Sequence, residues 1–232
     1  MESPQNHLIA RLPRADQLRL LKACKLVSLN LKEVLAEGKR PLSHVYFPTE
    51  GFISLVTLMN GKPVVEVGMV GREGMVGALF ALEGLSTEPL HTVVQGPGKA
   101  WRISGVAFRR ELGRSKALRN AVHLYLQVTM TQMTIGTACM RFHSLRQRLA
   151  RWLLMMNDRA HSDSFRVTHE FLAFMLGMRR VGITTAAAAL QRAGFISYRR
   201  GSVTVLNRRG LEAAACSCYA ADRKIYAKLL PG

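Results

Sequence analysis

Cysteine is scarce in this chain: 232 residues carry four, at positions 24, 139, 216 and 218. That count excludes a small disulfide-stapled scaffold, and the thiols are expected to be reduced. Cys216-Ser217-Cys218 is the one close pair. Without a second pair or a neighbouring histidine in the sequence it does not form a metal signature, so no metal ligand and no cofactor is expected. Cys24 and Cys139 read as small buried apolar groups. Long apolar runs are missing as well. Stretches such as Met75–Leu82 fall far short of the ~20 residues a membrane-spanning helix needs. The N-terminal stretch has no apolar core of a secretory signal, so the expected location is the cytoplasm, with no membrane partner. Gly-x-Ser-x-Gly, a phosphate-cradling Walker loop, His-Glu-x-x-His and metal-spaced carboxylates are all absent, which argues against an enzyme.

Acidic residues are few. Fifteen Asp and Glu face 33 Lys and Arg, a formal net charge of +18. The excess is uneven: residues 141–232 hold 16 Lys and Arg against 5 Asp and Glu, and 14 of those cations are arginine. The rigid guanidinium fork suits phosphate oxygens and guanine edges better than an ammonium does. With 48% apolar residues the chain has enough material for a sizeable core, so general disorder is not expected.

Leu18, Leu21 and the Ala23–Leu26 region sit at helical spacing within residues 14–26. From about 30 to 105 short apolar runs are cut by glycine and proline: Val45–Phe47, Phe52–Leu58, Val64–Val70, Thr92–Val94 and Ala100–Ile103. Asn60-Gly61 between two of them is a strong hairpin signal, because both central positions of a tight primed turn need positive φ. Strands at this spacing suggest a jelly roll. From Phe108 to about Met140 two stripes step by three and four residues. One runs through Leu118, Val122, Tyr125, Thr129, Gln132, Gly136 and Cys139, the other through Leu126, Met130, Met133, Thr137 and Met140. A helix with two apolar faces must bury both, one against its own β-domain and one against a second copy. The first stripe, Leu118 to Gly136, with its small residues for close approach, is read as the dimerisation seam.

Ser144-Leu145-Arg146-Gln147 is a capping-box pattern opening a further helix. One face carries Leu145, Leu149, Trp152, Leu153 and Met156, the other Arg146, Arg148 and Arg151. His161–Ser164 reads as a turn. The segment from Val167 to Leu206 then reads as helix, glycine turn, helix and two strands: a winged helix-turn-helix, which places one helix in the DNA major groove. Thr168 suits the N-cap of the first helix and Gly177 its left-handed end. Ile183, Ala186, Ala187 and Leu190 form the inward side of the second. Arg180, Val181, Thr184, Thr185, Ala188 and Arg192 fall outward. Such a face lacks the Glu–Lys pairs of a solvated helix and is slim enough for a groove. Arg180 can fork onto guanine, with Val181 or the methyls of Thr184 and Thr185 against thymine methyls. Thr168, His169 and Arg179 are candidate phosphate contacts, and Arg199, Arg200 and Ser202 candidate clamps in the wing.

The arrangement resembles the Crp/Fnr superfamily of bacterial transcription regulators over residues 20–210, most sharply in HVYFPTEGFISLV, VEVGMVGREGMVGALFALEG and GMRRVGITTAAAAL. The resemblance implies an α+β fold. A cyclic-nucleotide-binding-type β-roll (jelly roll) would occupy residues 1–107, a long dimerisation helix 108–142, and a winged helix-turn-helix with a C-terminal tail 143–232. It implies a homodimer on a palindromic site in double-stranded DNA, with RNA polymerase as an expected partner. Arg180 matches the family's base-reading arginine. Val181 and Thr185 stand where many members have glutamate and arginine, which implies a different half-site. The Gly-Glu that holds the ribose of a cyclic nucleotide lines up with Gly77-Ala78, and the Arg-Ser/Thr-Ala that pairs its phosphate with Leu90-His91-Thr92. Both charged groups are missing, so the effector is expected not to be cyclic AMP. Arg72, Glu73, Gly77, Ala78, His91 and Thr92 are the candidate effector-pocket residues. Two other readings stay open at this point. One is a ligand-binding module acting through protein contacts; the other is a non-specific nucleic-acid binder.

Overall fold

The computed structural model describes residues 6–38, 43–82, 87–160 and 162–230. Two short helices, α1 (His7–Ala10) and α2 (Arg14–Lys22), lead into β1 (Lys25–Leu29) and β2 (Val34–Glu37). There follow β3 (His44–Pro48), β4 (Phe52–Met59), β5 (Lys62–Val70), β6 (His91–Gly96) and β7 (Gly98–Ser104). They form a three-stranded sheet β1-β7-β3 and a four-stranded sheet β2-β6-β4-β5, with every pairing antiparallel. Both sheets feed one core. Leu29, Val45, Phe47 and Ile103 enter it from the first sheet, and Ile53, Leu55, Val70 and Val94 from the second. This is the expected jelly roll. Asn60 and Gly61 both take positive φ (52° and 75°) between β4 and β5, the backbone a two-residue primed turn requires. The expected helix over 14–26 ends earlier, since Lys25 and Leu26 already pair with Arg102 and Trp101 in the sheet.

Helices α3 (Gly105–Arg114) and α4 (Lys116–Phe142) replace the single helix expected from Phe108. They part at Ser115, which has an extended backbone and whose hydroxyl accepts from the Leu118 N–H. Helix α4 lies against the β-roll along the first of its two stripes. Leu118, Val122 and Tyr125 are buried within their own chain. Their assignment to a dimer seam is therefore corrected: the β-roll core covers them, and a partner cannot reach them. Thr129, Gln132 and Gly136 of the same stripe are half-buried. The face of α4 left open runs through His123, Gln127, Met130, Thr134 and Thr137, with Met130 73% exposed.

The chain continues through α5 (Leu145–Ala160), β8 (Ser164–Arg166), α6 (His169–Met175), α7 (Arg180–Arg192), β9 (Ile196–Arg199), β10 (Ser202–Val205), α8 (Arg208–Ala214) and α9 (Cys218–Leu229). The Ser144–Gln147 capping box closes in both directions, Gln147 Oε1 accepting from the Ser144 N–H and Ser144 Oγ from the Gln147 N–H. Leu149, Trp152, Leu153 and Met156 are buried as expected and build a second core with α6, α7 and the wing. Phe52, Val56 and Met69 of the β-roll enter this core too, so the helical end packs directly on the four-stranded sheet. Polar links cross the junction as well. Glu66 accepts from Trp152 Nε1 at 2.7 Å and from the Ser54 hydroxyl, and Arg159 pairs with Glu73 at 2.7 Å. No single helix among the described residues is long and apolar enough to cross a membrane.

Candidate nucleic-acid interface

Helix α6 is capped at its start by Thr168, whose Oγ1 accepts from the Phe171 N–H at 3.1 Å. It ends at Gly177, with φ 61°. There the Gly177 N–H reaches Phe174 O and the Met178 N–H reaches Ala173 O, the paired bonds of a Schellman end. Helix α7 leaves at 108° to α6, within the ~90–120° of a helix-turn-helix. Arg148, on α5, donates to Leu176 O at 2.6 Å and so holds the end of α6. The expected basic face of α5 is corrected here. Arg148 is 9% exposed, and Arg151 is half-buried against Asp222. Their long stems cover core surface while their heads tie neighbouring segments together.

The α7 helix begins at Arg180 with no side chain capping it, so the first N–H groups of the helix are open to an anion. Ile183, Ala186, Ala187 and Leu190 point inward, all at most 6% exposed. Arg180, Val181, Thr184, Thr185 and Arg192 are exposed and Ala188 is half-buried. Periodicity alone predicted this division. Both threonine hydroxyls donate back into the helix, Thr184 to Arg180 O and Thr185 to Val181 O, each at 3.1 Å. Their methyl groups are thereby left as the outward chemistry. Gly182 has a packing reason: a Cβ there would lie 2.9 Å from Leu145 Cδ2. The missing side chain lets the first turn of α7 sit against the start of α5.

His169 is half-buried rather than free. Its Nδ1 lies 3.0 Å from Thr184 Oγ1, and its ring packs on Tyr198 of the wing with centroids 4.3 Å apart. Burial and the nearby charge of Arg180 hold its pKa below the ordinary histidine value of 6.5. It braces α7 and the wing. The wing itself is a two-residue hairpin: Arg200 (φ 48°) and Gly201 (φ 75°) turn the chain between β9 and β10. Segment β8, which starts at the last residue of the expected turn, adds a third strand on β10. Arg199 and Arg200 are exposed and Ser202 half-buried. Among the described residues no carboxylate pairs with Arg179, Arg180, Arg199 or Arg200. An uncapped helix start and a slim face thus stand beside Arg179 and Arg180, and the wing, tied to α7 through His169, adds the unneutralised Arg199 and Arg200.

Residues 147–214 match the family model of the Crp-like helix-turn-helix domain. The whole chain has the fold of Crp/Fnr regulators. It aligns with a Crp/Fnr-family regulator from Eubacterium rectale ATCC 33656 at 16% identity and TM-score 0.68, covering 88% of this chain and 94% of that one. FixK2 from Bradyrhizobium japonicum aligns at 14% identity and TM-score 0.69, over 83% and 98% of the two chains. The regulator CLP of Xanthomonas campestris aligns at 16% identity and TM-score 0.68, over 83% and 99%, and is described as responsive to c-di-GMP. No curated protein matches this sequence.

The candidate effector residues do not gather around one cavity. Gly77 and Ala78 line an apolar cavity of about 490 Å³ between the β-roll and α4, with Tyr125, Thr129 and Met130 opposite. Arg72 and Glu73 face a different cleft beside α9, where Glu73 is held by Arg159. His91 and Thr92 lie on β6, with Thr92 buried. None of the described residues lining the 490 Å³ cavity is Arg, Lys or His, and the one ionisable acid in it is Glu88. Burial pushes that carboxyl up to about 7.

The sequence reading missed a further constellation. The expectation that Cys216 and Cys218 lack a histidine neighbour fails in three dimensions. His143, with Cys139, meets them where the end of α4 touches the α8–α9 connection.

Proposed function

We propose that the protein is a homodimeric transcription regulator that reads a two-fold-symmetric DNA site through α7 of its Crp-like helix-turn-helix domain. The observation that carries this reading is the exposed face of α7, arginine-tipped and otherwise small and apolar, beside an uncapped helix start. Arg180 contacts base edges, with Val181, Thr184 and Thr185 against neighbouring bases. Arg179, the first turn of α6 at Thr168, and Arg199, Arg200 and Ser202 of the wing contact the sugar–phosphate backbone. His169 positions Thr184 and the wing. The dimer forms along the open face of α4 through Gln127, Met130 and Thr134, rather than through the stripe that the β-roll covers.

The 490 Å³ cavity supports an effector that carries no phosphate facing Glu88. A cyclic phosphate would need a guanidinium there to offset its desolvation, and the described lining supplies a carboxyl instead. A salt titration with a palindromic duplex, a single half-site and scrambled DNA tests the reading. The proposal expects preference for the palindrome, with half-sites about 34 Å apart, to persist as salt rises. Uniform collapse of binding to all three duplexes would leave only a non-specific polycation.

A further inference from the structure

Cys139 lies on the last turn of α4, 1% exposed, and His143 follows four residues later as the helix's C-terminal cap. That interval puts both side chains on one face of a helix end. Cys216 sits in the connection between α8 and α9, and Cys218 opens α9; they are 5% and 7% exposed. Cys216 lies 77 residues along the chain from Cys139, and Cys218 lies 75 from His143. In space Cys139 Sγ is 3.4 Å from Cys216 Sγ, and Cys218 Sγ is 3.5 Å from His143 Nδ1. The four ligand atoms all lie within 4.8 Å of one another.

We propose that Cys139, His143, Cys216 and Cys218 hold one zinc ion in a closed tetrahedral site that clamps the end of α4 to the DNA-binding end of the chain.

Four protein ligands, three of them soft thiolates, match the donor set of a structural zinc site and leave no position open for substrate. Two sulfurs bound about 2.3 Å from one tetrahedral ion stand about 3.8 Å apart, so the Cys139–Cys216 pair at 3.4 Å needs to open by only a fraction of an ångström, and the cluster, within 4.8 Å throughout, closes on the ion by small side-chain movements. The same closeness does not suit an iron–sulfur cube, which spreads its ligands over a larger body. Nor are the cysteines joined: 3.4 Å between Sγ atoms is far beyond the ~2.05 Å of a disulfide. Three thiolates and a neutral imidazole around a divalent cation carry one surplus negative charge. The guanidinium of Arg148, which donates to a backbone carbonyl and pairs with no carboxylate among the described residues, acts electrostatically on Cys139 and Cys216 and offsets it, beside the Arg151–Asp222 ion pair. The three cysteines also form a buried group of their own, separate from both large cores, and among the described residues Ile135 is the one partly buried apolar side chain packed against it. Without a metal, this corner has few apolar contacts to hold it. Bound zinc would fix how α8 and α9 approach α4, and through them where α7 points relative to the dimer axis.

The test uses the full chain, purified under reducing conditions without chelator, with metal content measured by plasma mass spectrometry. The proposal expects one zinc per chain in the wild type and in Cys24→Ser, whose thiol lies outside the cluster. It expects substoichiometric zinc in Cys139→Ser and Cys218→Ser, and recovery in His143→Cys but not His143→Ala. Cobalt(II) added to chelator-stripped wild-type protein should give the ligand-field bands of a tetrahedral thiolate site. That readout needs no variant, so it stands even if a serine substitution unfolds the chain. Wild-type protein that holds no zinc and gives no such bands would overturn the proposal. So would iron with acid-labile sulfide in the protein as isolated, or an intact mass two hydrogens short from a Cys139–Cys216 disulfide formed in place of metal binding.

Discussion

The ring of Tyr198 in the wing packs on His169 at the start of α6, 4.3 Å between centroids, and the Tyr198 hydroxyl donates to Val167 O. One contact thus couples the wing to the helix-turn-helix, and His169 extends it to Thr184 on α7. Replacing His169 by alanine should lower stability by about 0.5–1.5 kcal/mol, the range for an aromatic pair. DNA affinity should fall without a change in base preference, because no base contact is lost. Chemical denaturation and binding-site selection on the same variant check the two parts. An altered preferred base would give His169 a direct reading role.

Gly177 ends α6 with φ 61°. An alanine there keeps the chain in a left-handed conformation that costs about 1–2 kcal/mol. Gly177→Ala should therefore lower the unfolding free energy by about that much, measured by urea titration. An unchanged midpoint would mean that the turn relaxes to another conformation.

Glu66 lies at the junction between β5 and α5. Loss of hydration raises its pKa from 4.5 to about 7, against the hydrogen bonds from Ser54 and Trp152 and the charges of Arg159 and Arg151. Between those two values the folded chain keeps a proton that the unfolded chain has released, so stability falls as pH rises through that window. Above it the cost is fully present. Glu66→Gln removes this contribution, so the melting temperature of the variant relative to wild type should climb between about pH 5 and about pH 8. A constant difference across that range would show that Glu66 does not titrate at the junction.

Met130 is 73% exposed on the open face of α4. If the proposed dimer forms along this face, Met130→Glu places a charge opposite its own symmetry copy and should give a monomer in sedimentation where the wild type is a dimer, with melting temperature nearly unchanged. A variant that stays dimeric would move the contact to another face.

The helix-turn-helix was legible because its information is local. A capping threonine, a left-handed glycine and the hundred-degree step of α7 each act within a few residues, and the exposed and buried sides of α7 fell where periodicity put them. Residues Asn60-Gly61 fixed a hairpin for the same reason. Strands β1, β2 and β8 were missed because three to five residues carry too little alternation to stand out. The two stripes of α4 were visible, but periodicity does not say which face the β-roll covers. The seam was therefore assigned to Leu118, Val122 and Tyr125, which the chain buries itself. Arg148 and Arg151 read only as the face opposite the apolar one because a sequence does not show where a long side chain ends. The Cys139–His143–Cys216–Cys218 cluster was hidden by the chain length between its halves.

The central claim is that Arg180 reads a base while the wing arginines grip only the backbone. Selection of bound sequences from randomised duplex DNA, run in parallel on wild type, Arg180→Ala and Arg199→Ala, tests it most directly. Arg180→Ala should lose about 1–3 kcal/mol and all preference at one position of each half-site, while Arg199→Ala keeps the wild-type motif, binds more weakly and shows a salt slope lower by about one. An Arg180→Ala protein that selects the wild-type motif unchanged would contradict the claim.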